Sequence, residues 1–231
     1  MPFRVALYYA PEPEDPLWQA GCGWLGRDPA TGQDLAQPPL PGIGEVTAAP
    51  RHYGFHATLK PPMRLLPGTS AAAVETAARA LAAALAPFPL PPLAVADLDG
   101  FLALCPTVAS PLLRAFADAA VAGLDPFRAP PDEAELARRQ RAGLTAQQAR
   151  MLARWGYPDV FDTWRFHMTL TRRLGDAERG PWQAAAEAHF AAALAQPRQV
   201  GSLALFTQSS AAAPFRLATR LRLGARGDTG A

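Results

Sequence analysis

A single lysine, at position 60, stands against 21 arginines among the 231 residues. Such a skew is the codon bias of a GC-rich genome, which turns neutral surface lysines into arginines. The surviving one therefore marks a position that calls for a compact ammonium rather than a guanidinium fork. Cysteine is nearly as scarce. Cys22 and Cys105 form no CxxC and cannot build a disulfide framework, so a reducing compartment and a cytoplasmic location are expected. No long apolar run is present. The first sixteen residues hold one arginine and a short apolar stretch before prolines and acids, as expected of neither a signal peptide nor a membrane span. Charge runs and Ser/Gly linkers are missing too, and a net charge of +2 is too mild for a nucleic-acid platform. The serine-hydrolase pattern G-x-S-x-G does not occur.

What remains is a chain that is 49% hydrophobic and 18% charged, with 25 prolines. At this length folding buries roughly 70% of the unfolded surface, enough for a core without staples. Alternation predicts strands over Phe3–Tyr9, Tyr53–Lys60, Leu93–Leu98, Phe101–Leu104, Trp164–Thr171, Ser202–Gln208 and Phe215–Leu223. Helices are expected over Leu17–Leu25, from Ser70 to about Leu85, from Ser110 to about Val121, over Asp132–Arg141, from Thr145 to about Trp155, and over Pro181–Leu194. The Pro/Gly-rich stretch from Gly26 to Pro50 reads as a long loop, and Pro61-Pro62 reads as a strand stop. This order predicts an α+β fold with two similar halves: one bilobal, pseudo-twofold unit over residues 1–231, an antiparallel sheet with helices in each lobe, and a groove between them.

The two halves share a motif. Tyr53-Gly-Phe-His56-Ala-Thr58-Leu-Lys60 and Trp164-Arg-Phe-His167-Met-Thr169-Leu-Thr171 align without a gap. With 13 threonines and 29 leucines in the chain, two of four histidines preceding x-Thr-Leu by accident has odds on the order of 3 in 10,000 for a pattern counted this way. Strand periodicity puts His56, Thr58 and Lys60 on one face, and Arg165, His167, Thr169 and Thr171 on one face of the second copy. The chemistry that uses such a set is phosphodiester cleavage. A neutral imidazole takes a proton from the attacking oxygen, and a protonated one gives a proton to the leaving oxygen. Threonine hydroxyls and the cations Lys60 and Arg165 oppose the charge that grows on phosphorus. H-x-T offers no third ligand to a zinc ion, so neither a metal nor another cofactor is expected. His52 and His189 lack this context.

Two H-x-[ST]-hydrophobic motifs about a hundred residues apart resemble the two-histidine (2H) phosphoesterase superfamily, at His56-Ala-Thr58-Leu59 and His167-Met-Thr169-Leu170. Gly23–Asp28, Arg51–Pro62, Phe127–Pro130, Glu135–Arg139, Trp155–Pro158 and Phe166–Thr171 resemble one bacterial branch, often encoded beside phosphonate-degradation genes. The superfamily resemblance implies a bilobal α+β fold, both histidines in the central groove, and metal-free cyclic phosphodiesterase activity on nucleotide-like cyclic phosphates. It gives catalytic roles to His56, Thr58, His167 and Thr169. The branch resemblance points to a cyclic ribose phosphate such as 5-phosphoribosyl 1,2-cyclic phosphate. The chain departs from the branch at Asp159, where an aromatic is common, and at Arg172, often glycine.

Further substrate contacts are expected from Tyr8, which shares a face of the first strand with Arg4 and Ala6, and from Arg51 and Tyr53 beside the first motif. Lys60 and Arg165, at opposite ends of the cleft, are expected to hold a second phosphate of the substrate as well as the scissile one. The expected partner is a small phosphorylated molecule, not a membrane or a nucleic acid, and the chain is expected to be a monomer. Two other functions fit the motifs: an RNA-end 2′,3′-cyclic phosphodiesterase or ligase-like protein, and a non-catalytic phosphate-ligand binding protein. An intact acid–base pair favours catalysis, since binding alone needs neither.

Overall fold

The structure, a computed structural model, describes residues 2–140 and 143–224. The last residue of the expected Asp132–Arg141 helix lies outside them. Nine strands are present among the described residues: β1 (Arg4–Tyr9), β2 (Ala57–Met63), β3 (Phe88–Leu90), β4 (Leu93–Leu98), β5 (Phe101–Pro106), β6 (Met168–Arg173), β7 (Arg198–Val200), β8 (Ser202–Gln208) and β9 (Arg216–Arg222). Seven α-helices join them: α1 (Pro16–Leu25), α2 (Ile43–Tyr53), α3 (Ala71–Ala84), α4 (Pro111–Leu124), α5 (Glu133–Gln140), α6 (Ala146–Trp155) and α7 (Asp176–Leu194). The fold is α+β. Its antiparallel sheet runs β4-β5-β6-β2-β1-β8-β9, with β3 and β7 paired separately.

The sheet has two parts. The set β4-β5-β6 and the set β2-β1-β8-β9 meet at one residue pair, Ala57 opposite Met168. Beyond that pair a side chain serves the seam: the Trp164 indole Nε1 donates to the Thr58 carbonyl at 2.8 Å. This explains how Pro61 and Pro62 continue β2 instead of stopping it. Proline cannot donate to a ladder, but it is tolerated where one flank of a strand is unpaired. The helices seal the sheet. α3 packs on α4 and reaches β8 and β9, while α4 covers β2; α2 lies on β6, and α7 packs on α1 and β4. A single buried cluster runs from Val5 on β1 to Leu223 beyond β9.

Local signals account for the helix starts. Asp15, Ser70, Ser110 and Thr145 cap α1, α3, α4 and α6 with side-chain oxygens on free backbone N–H groups. α2 is a departure from the sequence reading. The expected loop closes with a helix, Pro50 included, and its buried Ile43, Val46, Thr47 and Pro50 supply an apolar face. Tertiary burial outweighs the local loop-like composition there. The second motif strand also starts later than expected, at Met168 instead of Trp164, so both histidines stand just before their strands.

Candidate functional site

Pairing of Ala57 with Met168 places the residue after each histidine side by side at the seam of the sheet. His56 and His167 are thereby brought together from opposite halves of the chain, close enough for the charge of one to weigh on the other. Their settings match. His56 Nδ1 lies 2.9 Å from the Gly54 carbonyl oxygen, and His167 Nδ1 lies 2.9 Å from the Arg165 carbonyl oxygen. In both motifs the imidazole donates from Nδ1 to the carbonyl two residues earlier, which fixes the neutral tautomer and leaves Nε2 as the working nitrogen. Gly54 makes the first turn possible. Its φ is 83°, and a Cβ there would lie 2.8 Å from Pro29.

The environments differ in degree. His56 has Tyr8 flat against it, ring centroids 3.7 Å apart. Burial pushes its imidazole down to about 4, the Gly54 bond opposing and His167 adding to the fall. His167 is also lowered by burial and by Arg165, but the carbonyl of Arg165 and the carboxylate of Asp159 work to keep its proton. With Nδ1 donating, the His56 Nε2 accepts the Thr58 hydroxyl, 3.2 Å away.

Two hollows share His56 in their walls. A small one of about 180 Å³ is bordered by Tyr53, Gly54, His56, Thr169 and Thr171. A groove of about 360 Å³ shares Tyr53, His56 and Thr169 with it and adds Tyr8, Thr58, Tyr157, Arg4 and Arg139. Three of the chain's four tyrosines thus face one groove. The Tyr8 hydroxyl is buried with no hydrogen-bond partner. Burial, with Tyr53 and Tyr157 nearby, holds that phenol well above its ordinary pKa, so it stays a neutral donor. A third hollow of about 460 Å³ continues past Arg4 and Pro62 to Arg64 and Arg128.

His56, Thr58, Thr169, Tyr8 and Tyr53 line one groove, and His167 stands beside His56 across the Ala57–Met168 pair without lining either hollow. Three expected contacts, Lys60, Arg165 and Arg51, lie elsewhere, and a fourth, Thr171, is at the site with its hydroxyl already engaged. Lys60 leaves the histidine face because β2 carries a bulge: Tyr8 pairs with Thr58 and the preceding Leu7 with Lys60, so Leu59 is an extra residue and the alternation flips. Lys60 is buried under α4, its ammonium on Asp125 Oδ1 at 2.9 Å and on the Val121 carbonyl at 3.0 Å. Arg165 turns to solvent and pairs with Asp99 at 3.0 Å. Its main chain, not its charge, serves His167. Arg51 pairs with Asp34 at 2.7 Å and ties α2 to the segment after α1, away from both hollows. Thr171 borders the small hollow, but its hydroxyl accepts the Leu102 N–H at 3.0 Å and patches the β5–β6 ladder where its register shifts.

Other positions resolve plainly. Arg128 lines the third hollow and binds Asp125, Arg172 bridges Glu45 and Glu178, and Asp159 accepts from Gln148. His52 meets Gln208 and His189 the Ala20 carbonyl, so neither belongs to the pair. The sequence reading missed Arg4, Arg139 and Tyr157 as groove residues. Their signals were present: Arg4 alternates with Tyr8, and the other two lie in the segments Glu135–Arg139 and Trp155–Pro158 that flank the repeat. Among the described residues no group of three or more His, Cys, Asp or Glu side chains could hold a metal ion, and no helix is long and apolar enough to cross a membrane.

The family described as protein of unknown function (DUF1045) matches residues 58–216. This chain belongs to the DUF1045 family. The match spans from the first motif threonine to the start of β9, so it includes the second motif whole. The DUF1045 chain is 42% identical over 228 residues to the ribose 1,5-bisphosphate phosphokinase PhnN of Laribacter hongkongensis (strain HLHK9), covering 98% of this chain and 53% of that protein. It is 41% identical over 236 residues to the protein of the same name from Janthinobacterium sp. (strain Marseille), covering 97% and 52%. The chain spans about half the length of these curated relatives. Among solved structures, a phosphoesterase and E. coli LigT complexed with NADP+ each align over 96% of this chain, at 14% identity and a TM-score of 0.45.

Proposed function

We propose that this DUF1045 chain is a metal-independent cyclic phosphodiesterase of the two-histidine kind, opening a small cyclic ribose phosphate. One observation carries the reading: two imidazoles from matching motifs stand beside a single inter-strand pair, each with Nδ1 anchored to the carbonyl two residues earlier. A pair held this way leaves both Nε2 atoms free for proton transfer, and the groove beside His56 is of small-ligand size.

In the proposed reaction water attacks phosphorus. His56, kept neutral by burial, takes the water proton at Nε2, once the Thr58 hydroxyl has turned from Nε2 to a phosphate oxygen. His167, which holds a proton more readily, gives it to the leaving ribose oxygen as the P–O bond breaks. Thr58 and Thr169 donate to non-bridging oxygens, and the Tyr8 phenol is a neutral donor beside them. The sum is one water added and one phosphate ester opened.

The relatives' name supports a ribose substrate and a link to phosphonate metabolism. Opening 5-phosphoribosyl 1,2-cyclic phosphate at the 2-oxygen yields ribose 1,5-bisphosphate, the compound named in those relatives. We assign the kinase activity in that name to the part of those proteins outside this match. A phosphate-binding G-x-x-x-x-G-K-[ST] loop needs a lysine, and the only one here is Lys60, buried on Asp125. Turnover of a panel of cyclic phosphates with EDTA present tests the proposal. His56→Ala and His167→Ala should each lower kcat by roughly 10² to 10⁴-fold. Wild-type turnover in either variant removes that histidine from the mechanism.

A further inference from the structure

The groove that holds His56, Thr58 and Thr169 is lined by two guanidiniums, Arg4 and Arg139, and by no carboxylate.

Arg4 extends from β1 on the same face as Tyr8, four residues along the strand and so about 13 Å away between Cα atoms. Its Nε donates to the neutral Gln208 Oε1 at 2.7 Å. Its Cζ lies 5.3 Å from the Phe215 ring centroid and 5.6 Å from that of Phe3. Among the described residues no carboxylate pairs with it. A guanidinium aimed by an amide and two rings, with its charge unspent, is preorganised for an oxyanion.

Arg139 approaches from α5, 4.4 Å above the Tyr157 ring, and its Nε is buried without a partner. Glu135 occupies one of its terminal nitrogens at 2.6 Å, from the side of the neighbouring hollow. The unpartnered Tyr8 hydroxyl belongs to the same groove, its ring stacked on His56. Two unpartnered donors, the Tyr8 hydroxyl and Arg139 Nε, thus belong to residues that line one acid-free groove with an Arg4 that has no carboxylate partner among the described residues.

We propose that the Arg4–Arg139 side of this groove is a subsite for a second, phosphomonoester group of the substrate. The role expected of Lys60 falls to these two arginines, because the β2 bulge carries the lysine to the other face. The inference rests on the cyclic phosphodiesterase reading and narrows it to cyclic esters that carry a further phosphate, such as a 5-phosphorylated ribose. Arginine suits the task, since its fork meets two phosphate oxygens at once.

Two measurements test the subsite, one without turnover. Calorimetry with ribose 5-phosphate, which has no cyclic ester to open, should show binding that weakens about 10-fold or more in Arg4→Gln and in Arg139→Gln, the loss expected of a charge-assisted hydrogen bond. Binding should persist in His56→Ala. In kinetics, both arginine variants should raise KM by a similar factor for 5-phosphoribosyl 1,2-cyclic phosphate and leave KM for ribose 1,2-cyclic phosphate within about twofold. Arg4→Lys, which keeps the charge and loses the fork, should fall between, and thermal melts check that each variant is folded. Ribose 5-phosphate binding that depends on the arginines, with no cyclic ester opened, would leave the subsite standing and overturn the reaction. Equal effects on both cyclic substrates, or ribose 5-phosphate binding indifferent to both arginines, would overturn the subsite and leave the reaction intact.

Discussion

Tyr8 lies flat on His56, with ring centroids 3.7 Å apart and 24° between the planes. The stack covers one face of the imidazole and helps hold its pKa near 4. It therefore separates two functions of one side chain. Tyr8→Phe keeps the ring and removes the hydroxyl, so the His56 titration followed by NMR should stay where it is while activity falls about 10-fold through the lost donor. Tyr8→Ala admits water, and the His56 pKa should rise toward 6.5. An unchanged titration in the alanine variant would show that the stack does not set the proton affinity of His56.

The pH dependence follows from both imidazoles being depressed below 6.5 by burial. The active free enzyme has one neutral and one protonated ring, so kcat/KM should peak on the acid side, between about 4 and 6.5, and decline toward pH 8 as the pair loses its proton. An anionic substrate stabilises imidazolium, so the kcat optimum should lie at higher pH than that of kcat/KM. The same depression bears on folding. Between pH 6.5 and 4 the unfolded chain binds protons that the folded chain refuses, so stability is full above 6.5 and is lost as pH falls toward 4. Urea midpoints across this range, with His56→Asn giving a shallower slope than wild type, check the sign. A kcat/KM that rises steadily to pH 8 would contradict the acid–base pair.

Much of the site was legible because its signal is a repeat. His56-x-Thr58 and His167-x-Thr169 stand out against composition alone, and their convergence needs only two similar halves. Lys60 was misread for a reason that local sequence does not carry. One extra residue in a strand flips every side chain beyond it, and whether β2 bulges at Leu59 is decided by its pairing with β1. Arg165 failed differently: it lies before the strand begins, where alternation assigns no face. Helix α2 was hidden by Pro and Gly that burial overrides.

The new place of Lys60 makes it a matter of stability. Burial lowers the ammonium pKa against the pull of Asp125, while Asp125, although burial works to raise it, is held below the usual carboxylate range by Arg128 and Lys60. Lys60→Met leaves Asp125 its bond to Arg128 at 2.7 Å, whereas Asp125→Ala strands a buried cation on one carbonyl. The aspartate variant should therefore cost more, about 3 kcal/mol or above against roughly 1 kcal/mol for the methionine. Chemical denaturation measures both. With the groove untouched, KM for either cyclic ester should be unchanged in Lys60→Met. A selective rise for the phosphorylated substrate would return Lys60 to the site and displace Arg4 and Arg139.

Gly21 tests how firmly the first histidine is held. A Cβ at this position of α1 would sit 2.2 Å from the Phe55 ring, and Phe55 is fully buried with its ring stacked 6.1 Å from that of Phe190. Phe55 cannot yield into empty space, and it is bonded to His56. Gly21→Ala should thus destabilise the chain by about 1–3 kcal/mol, the usual cost of overpacking. It should also lower kcat by about 10-fold or more, because small misplacements of a catalytic group are expensive. Gly23→Ala is the matched control on the same helix, since a Cβ there meets nothing within 4 Å. It should stabilise the chain by about 0.5–1 kcal/mol through helix propensity and leave kcat alone. Both variants need only a thermal melt and one steady-state assay. If Gly21→Ala melts lower yet turns over at the wild-type rate, Phe55 packs the core without positioning His56, and the imidazole owes its placement to Gly54 and Tyr8 alone.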